Sequence, residues 1–117
     1  MKLVYHPSLT VEKWQSFSWD KRLLNIGSEL IRAKSALQKK DEEARKGALE
    51  RALELTDLTV EAGIKGKTSG FLRELLRFRE MVADFYLSPE KKEEEITGLT
   101  KIFFDLDPAV HNLHLQI

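Results

Sequence analysis

The chain has no cysteine. This excludes a disulfide framework and any thiolate chemistry, so packing and polar contacts alone must hold the fold. Net charge is missing as well, because nineteen Lys and Arg balance nineteen Asp and Glu. Without a bulk electrostatic pull, nucleic acid is a disfavoured partner and so is an anionic membrane, unless a local patch supplies the charge. No apolar run approaches the roughly 20 residues that span a bilayer. The opening MKLVYHPSL lacks the apolar core of a secretory leader, and the expected location is cytoplasmic. Asparagine, glutamine and methionine are few, while charged residues make up 32%, a balance that leans toward a thermophilic source. There is no internal repeat, low-complexity segment or linker. The 117 residues therefore read as one domain, 1–117, long enough for a real core.

The residues that are present are periodic. Over 71–87, Phe71, Leu75, Phe78, Val82, Phe85 and Tyr86 share one arc at the helical 100° per residue, and Arg73, Arg77, Glu80 and Asp84 lie opposite. Leu72, Leu76 and Ala83 widen the apolar face. Arg79 falls inside it, where a guanidinium must snorkel, pair with a carboxylate, or line a pocket or interface. Over 19–38, Trp19, Leu23, Ile26, Leu30, Ala33 and Leu37 repeat at three and four, with Ser18 as N-cap and Asp20 in the first turn. Gly27 on the same side invites close approach of another helix. Over 42–62 the apolar arc is wide, from Ala48 and Leu49 to Thr59 and Val60, and the polar stripe Lys46, Glu50, Glu54, Asp57 and Glu61 is narrow. Such a helix touches two or more neighbours. Asp41 is its expected N-cap, and Gly63 followed by Ile64 its expected left-handed C-cap. Ser88 and Pro89 read as N-cap and first residue of a last helix carrying Ile96, Leu99, Phe103 and Leu106.

The predicted fold is all-α, an antiparallel up-down-up-down four-helix bundle with helices at about 19–38, 42–62, 70–87 and 89–106. Irregular extensions flank it. The N-terminal one carries a short helical turn capped by Ser8 or Thr10, with Trp14, Phe17 and Trp19 closing one end of the core. Lys2–His6 and the alternating Leu113, Leu115 and Ile117 are candidates for a small two-stranded ribbon.

Chemistry-bearing patterns are sparse. Gly66-Lys67-Thr68 resembles part of a phosphate loop, but Glu61 stands where the motif needs glycine, and a helix precedes it rather than a strand. A weaker anion site remains at the basic 63–70 loop: Lys65, Lys67 and Arg73 around the N–H groups of Ser69 and Gly70, with Lys21 and Arg22 across from them. Asp107, His111 and His114 have one-turn spacing for a metal, but Asp107 is a probable cap and Pro108 distorts the turn. No metal site or cofactor is therefore expected. The serines have no histidine at a recognisable triad spacing, and no catalytic residue is assigned.

The bundle and its arginine-bearing third helix are similar, at the level of fold, to the small helical proteins that accompany nucleotidyltransferases, the HEPN-like group. Ribonucleases of that group carry an arginine followed some four to six residues later by histidine. No histidine follows Arg77 or Arg79 in that window, so the resemblance carries over no catalytic residue. The expected function is that of a non-enzymatic interaction module, self-associating as a homodimer or meeting another helical protein. Phe78, Arg79 and Tyr86 are its interface residues, since interfaces favour aromatics and arginine. The alternative is an accessory subunit binding a nucleotide or other small anion at the 63–70 loop.

Overall fold

In the computed structural model, residues 8–107 are described, and among them the chain is all-helical. The elements are α1 (Val11–Ser16), α2 (Trp19–Gln38), α3 (Glu42–Ala62), α4 (Ser69–Leu87) and α5 (Glu93–Phe104). The termini proposed for a ribbon lie outside the described residues. Thr10 caps α1, Ser18 caps α2 and Asp41 caps α3, each side-chain oxygen accepting the N–H three residues on. These acceptors satisfy amides that would otherwise have no intrahelical partner.

α2 packs against α3 and α5, α4 packs against α3 and α5, and α1 lies on α3. The wide arc of α3 is consumed by these neighbours, with Ala48, Leu49, Ala52, Leu55 and Leu58 all buried. Buried hydroxyls are satisfied along their own helices. Thr56 donates to the carbonyl of Ala52 (2.7 Å), Thr59 to Leu55 (2.7 Å) and Thr100 to Ile96 (2.8 Å). Trp14 of α1 is buried on α3, its indole N–H donating to Thr59 Oγ1 at 3.0 Å. On α4, Phe71, Leu75, Phe78, Val82 and Phe85 are buried as the periodicity predicts, whereas Leu76 is exposed. Glu29 is buried within α2, where it accepts from Arg51 Nε and Arg32 Nη1, both at 2.6 Å.

The structure departs from the sequence reading at two chain reversals. The left-handed residue is Lys40 (φ 59°), after α2, not Gly63 after α3. Lys40 N–H donates to Leu37 O (3.1 Å) and Asp41 N–H to Ala36 O (2.9 Å), the paired bonds of a Schellman cap. Gly63 has positive φ (91°) but an extended ψ of 164°, so the chain leaves α3 without that cap. The last helix also begins at Glu93, not at Pro89. Ser88 Oγ does not accept from a helix amide. It donates to the carbonyl of Glu90 (2.8 Å), and Lys91 Nζ donates to the carbonyls of Tyr86 and Ser88 at the end of α4. Lys91 thus satisfies the end of α4, Ser88 bonds within the connection, and residues 88–92 form a link.

Gly27 has the close-packing role its position suggests. A methyl group there would lie 2.9 Å from Phe104 Cε1 and nearer still to Cζ, and Phe104 is buried. Gly98, inside α5, would meet nothing within 4 Å. Gly27→Ala is therefore expected to destabilise by about 1–3 kcal/mol through overpacking, despite better helix propensity. Gly98→Ala is expected to stabilise by about 0.5–1 kcal/mol, because only propensity changes. Urea titrations of the two variants check the opposite signs. Lys40→Gly, which removes the Cβ from a left-handed position, is expected to raise stability by up to about 1 kcal/mol in the same titration.

Candidate functional site

The loop between α3 and α4 is tied down by aromatic contacts. Trp19 Nε1 donates to Lys65 O at 2.9 Å, and its ring meets Phe71 edge-on at 5.4 Å. Arg22 stacks on the same indole at 3.8 Å. Its Nε is buried without a hydrogen-bond partner, and burial lowers its pKa from the ordinary arginine value. The ring face takes the place of an acceptor for this cation. Lys21 Nζ lies 4.0 Å over the Phe17 ring. Lys67 pairs with Asp107 and sits 5.5 Å from the Phe71 ring and 5.6 Å from that of Trp19.

These contacts engage one of the residues expected to hold an anion. Lys67 already has a carboxylate partner, and Lys65, Ser69 and Arg73 are exposed. A depression of about 440 Å³ does open at the start of α4, but of the five expected residues only Gly70 lines it. Its charged lining side chains are Glu74 and Asp105, which repel an anion. Asp107, once a possible metal ligand, faces Lys67, and His111 and His114 lie outside the described residues. Among the described residues no group of three or more His, Asp and Glu is placed to hold a metal.

Arg79 reaches from α4 to α3, where it makes a bidentate pair with Asp57. Its Nε donates to Oδ1 and its Nη2 to Oδ2, the latter at 3.0 Å. The hydrogen bond to Asp57 raises the arginine pKa, against the opposing effect of burial. Tyr86 bridges the same two helices, its hydroxyl donating to Glu50 Oε2 at 2.7 Å. Phe78, the third expected interface residue, is in the core, 4.9 Å from the Phe103 ring. The odd arginine is thus explained within one chain by an acceptor from the polar stripe of α3.

Two depressions that the sequence did not signal lie elsewhere. At the α2–α3 turn a broad cleft of about 930 Å³ is lined by Lys39, Lys40, Arg45 and Lys91 together with Asp41 and Glu42. Burial lowers the Lys91 pKa, the charge of Arg45 adds to this, and Glu95 opposes it. The second is a groove of about 470 Å³ along the seam of α4 and α5. Met81, Phe85, Leu99 and Ile102 supply its apolar surface, Gly98 leaves space in it, and Asp84, Glu94 and Glu95 supply its charge. Ile102 also lines the depression at the start of α4, so the two are neighbours along the same seam. The exposed large apolar side chains among the described residues are Leu76, Leu87 and Ile102, all on α4 or α5. No single residue spacing marks this seam, because it joins two helices with different registers.

The Arg79–Asp57 side chains are 38% and 34% exposed, so water screens their attraction. A double-mutant cycle of Arg79→Leu and Asp57→Ala, read by urea unfolding, is expected to give a coupling of about 1 kcal/mol or less. No protein family, no curated protein and no solved structure matches this chain.

Proposed function

We propose that this chain is a non-enzymatic interaction module. In this reading α2–α5 form an antiparallel up-down-up-down bundle that presents the seam of α4 and α5 to another protein in the cytosol. The antiparallel order is supported by contacts at both ends. Trp19 at the start of α2 bonds Lys65 beyond α3, and Lys67 pairs with Asp107 beyond α5. At the other end Gln38 Nε2 donates to Glu93 Oε1 at 2.8 Å.

The observation that carries the reading is the location of exposed apolar surface. Leu76, Leu87 and Ile102 lie on the two helices that share an open groove, whereas the wide arc of α3 is covered by α1, α2 and α4. Single exposed apolar residues such as Leu76 and Leu87 are ordinary, but Ile102 is exposed in a groove that Met81, Phe85 and Leu99 also line, and apolar surface gathered in a groove marks a contact surface. The wide apolar arc of α3 is thus met inside one chain. Catalysis finds little support, since the buried threonine hydroxyls donate to carbonyls of their own helix and Glu29 is held by two arginines. No observation favours the anion-binding alternative at the 63–70 loop.

A photo-reactive benzoylphenylalanine at position 102 tests the reading against one at Asn25, an exposed position on α2. In an extract of the source cells, protein adducts are expected from position 102 and not from position 25. Equal labelling from the two positions overturns the assignment of the seam.

A further inference from the structure

We propose that the α4–α5 groove takes a basic amphipathic helix of a different protein. Its apolar stripe would seat on Met81, Phe85, Leu99 and Ile102, and its lysines and arginines would face Asp84, Glu94 and Glu95. This inference rests on the seam being the interaction surface and adds the chemistry of the occupant.

Three features of the groove converge on it. The first is the lining. Apolar side chains alternate with carboxylates, and no lysine or arginine lines this groove or the adjoining depression, where Glu74 and Asp105 continue the acidic series. In a chain of zero formal net charge such an acidic lining is a local polarity, opposite in sign to the lysines and arginine of the cleft at the α2–α3 turn, from which Lys91 reaches one edge of the groove with its Nζ 5.6 Å from the Phe85 ring. A positive helix gains complementarity there, which raises the rate of encounter and selects against wrong partners. The second is Gly98. Its backbone is not among the positive-φ positions, and a Cβ there would touch nothing within 4 Å. Neither backbone geometry nor internal packing asks for glycine in mid-helix, in contrast to Gly27 beneath Phe104. A partner backbone lying close over α5 does ask for it. The third is length. From Glu94 to Asp105 along the seam is eleven residues of rise, about 16 Å, which matches three turns of a docked helix with anchors at i, i+4, i+7 and i+11.

The same charges argue against a second copy in the groove. A two-fold axis through it would set Asp84, Glu94 and Glu95 of one chain against the same residues of the other, and like charges at close range are costly.

The test uses the full chain and three synthetic peptides of about 14 residues, four helical turns. One places leucine at helical spacing with lysine elsewhere, the second replaces lysine by glutamate, and the third scrambles the order of the first. Amide shifts report the site and fluorescence anisotropy the affinity. The basic peptide is expected to move the amides of residues 81–88 and 94–102 and to bind at least tenfold tighter than either control. Gly98→Trp fills the groove and is expected to weaken binding at least tenfold. Asp84→Lys/Glu94→Lys, which leaves the groove open, is expected to reverse the preference toward the acidic peptide, so the inference stays testable if the tryptophan variant does not fold. Equal binding of ordered and scrambled basic peptides overturns the inference as nonspecific charge attraction, and so do shifts confined to other helices. If no peptide binds while position 102 still gives adducts, the basic-helix occupant is wrong and the seam stands as an interaction surface. Concentration-dependent shifts of 81–102 without peptide identify a second copy as the occupant and overturn the inference as well.

Discussion

Where Phe104 lies over Gly27, its ring fills the space that a side chain on α2 would take, so α5 seats directly on the α2 backbone. The adjoining Phe103 points its ring at Phe78 of α4, and the rings of Phe103 and Phe104 meet edge-on at 5.6 Å. One dipeptide at the end of α5 thus anchors that helix to two others. The anchor is large, since each fully buried aromatic contributes about 1.5–3 kcal/mol by removal from water. It also sets how α5 meets α4. The seam between these helices closes over Phe103 and opens where Gly98 and the acids at the start of α5 leave it unfilled.

Glu29, Arg79 and Arg22 are each compensated by a nearby side chain. Glu29 would be costly as a lone buried carboxylate, but Arg51 reaches it from α3 and Arg32 from one turn along α2. Arg79 and Asp57 do the same between α4 and α3, nearer the surface. Arg22 meets the face of Trp19 instead of a carboxylate. These pairings orient neighbouring helices more than they stabilise them, because desolvation offsets much of the Coulombic gain. They also leave Asp84, Glu94 and Glu95 as the carboxylates that face the open groove.

Much of the fold was legible. The helices over 19–38 and 42–62 have the bounds their spacing predicts, since Ser18 and Asp41 are unambiguous caps and the three-four apolar repeats are unbroken. The last helix starts later than the sequence predicts because Ser-Pro is an N-terminal signature in isolation, whereas here Lys91 hydrogen-bonds to carbonyls at the end of α4 and Ser88 to the carbonyl of Glu90 in the link. The left-handed cap was assigned to Gly63 because glycine is the usual occupant, yet the tight α2–α3 turn imposed that conformation on Lys40. Arg79 was singled out correctly as unusual, but its partner Asp57 was invisible. Nothing in a polar stripe says which of its acids faces the neighbouring helix.

Composition, caps and helical periodicity, all properties of short stretches, by themselves determined that the chain is helical, where its long helices run, and which faces they bury. They also disfavoured a role for cysteine, for a known phosphate loop and for bulk charge. Only the tertiary structure decided that Lys67 of the 63–70 loop pairs with Asp107, that α3 spends its apolar surplus on α1 and its neighbours, and that an acidic, apolar-floored groove follows the α4–α5 seam. Those features arise between residues distant in sequence. Their positions depend on the relative rotation and spacing of packed helices, which one aromatic pair and one glycine set here and which no local pattern encodes.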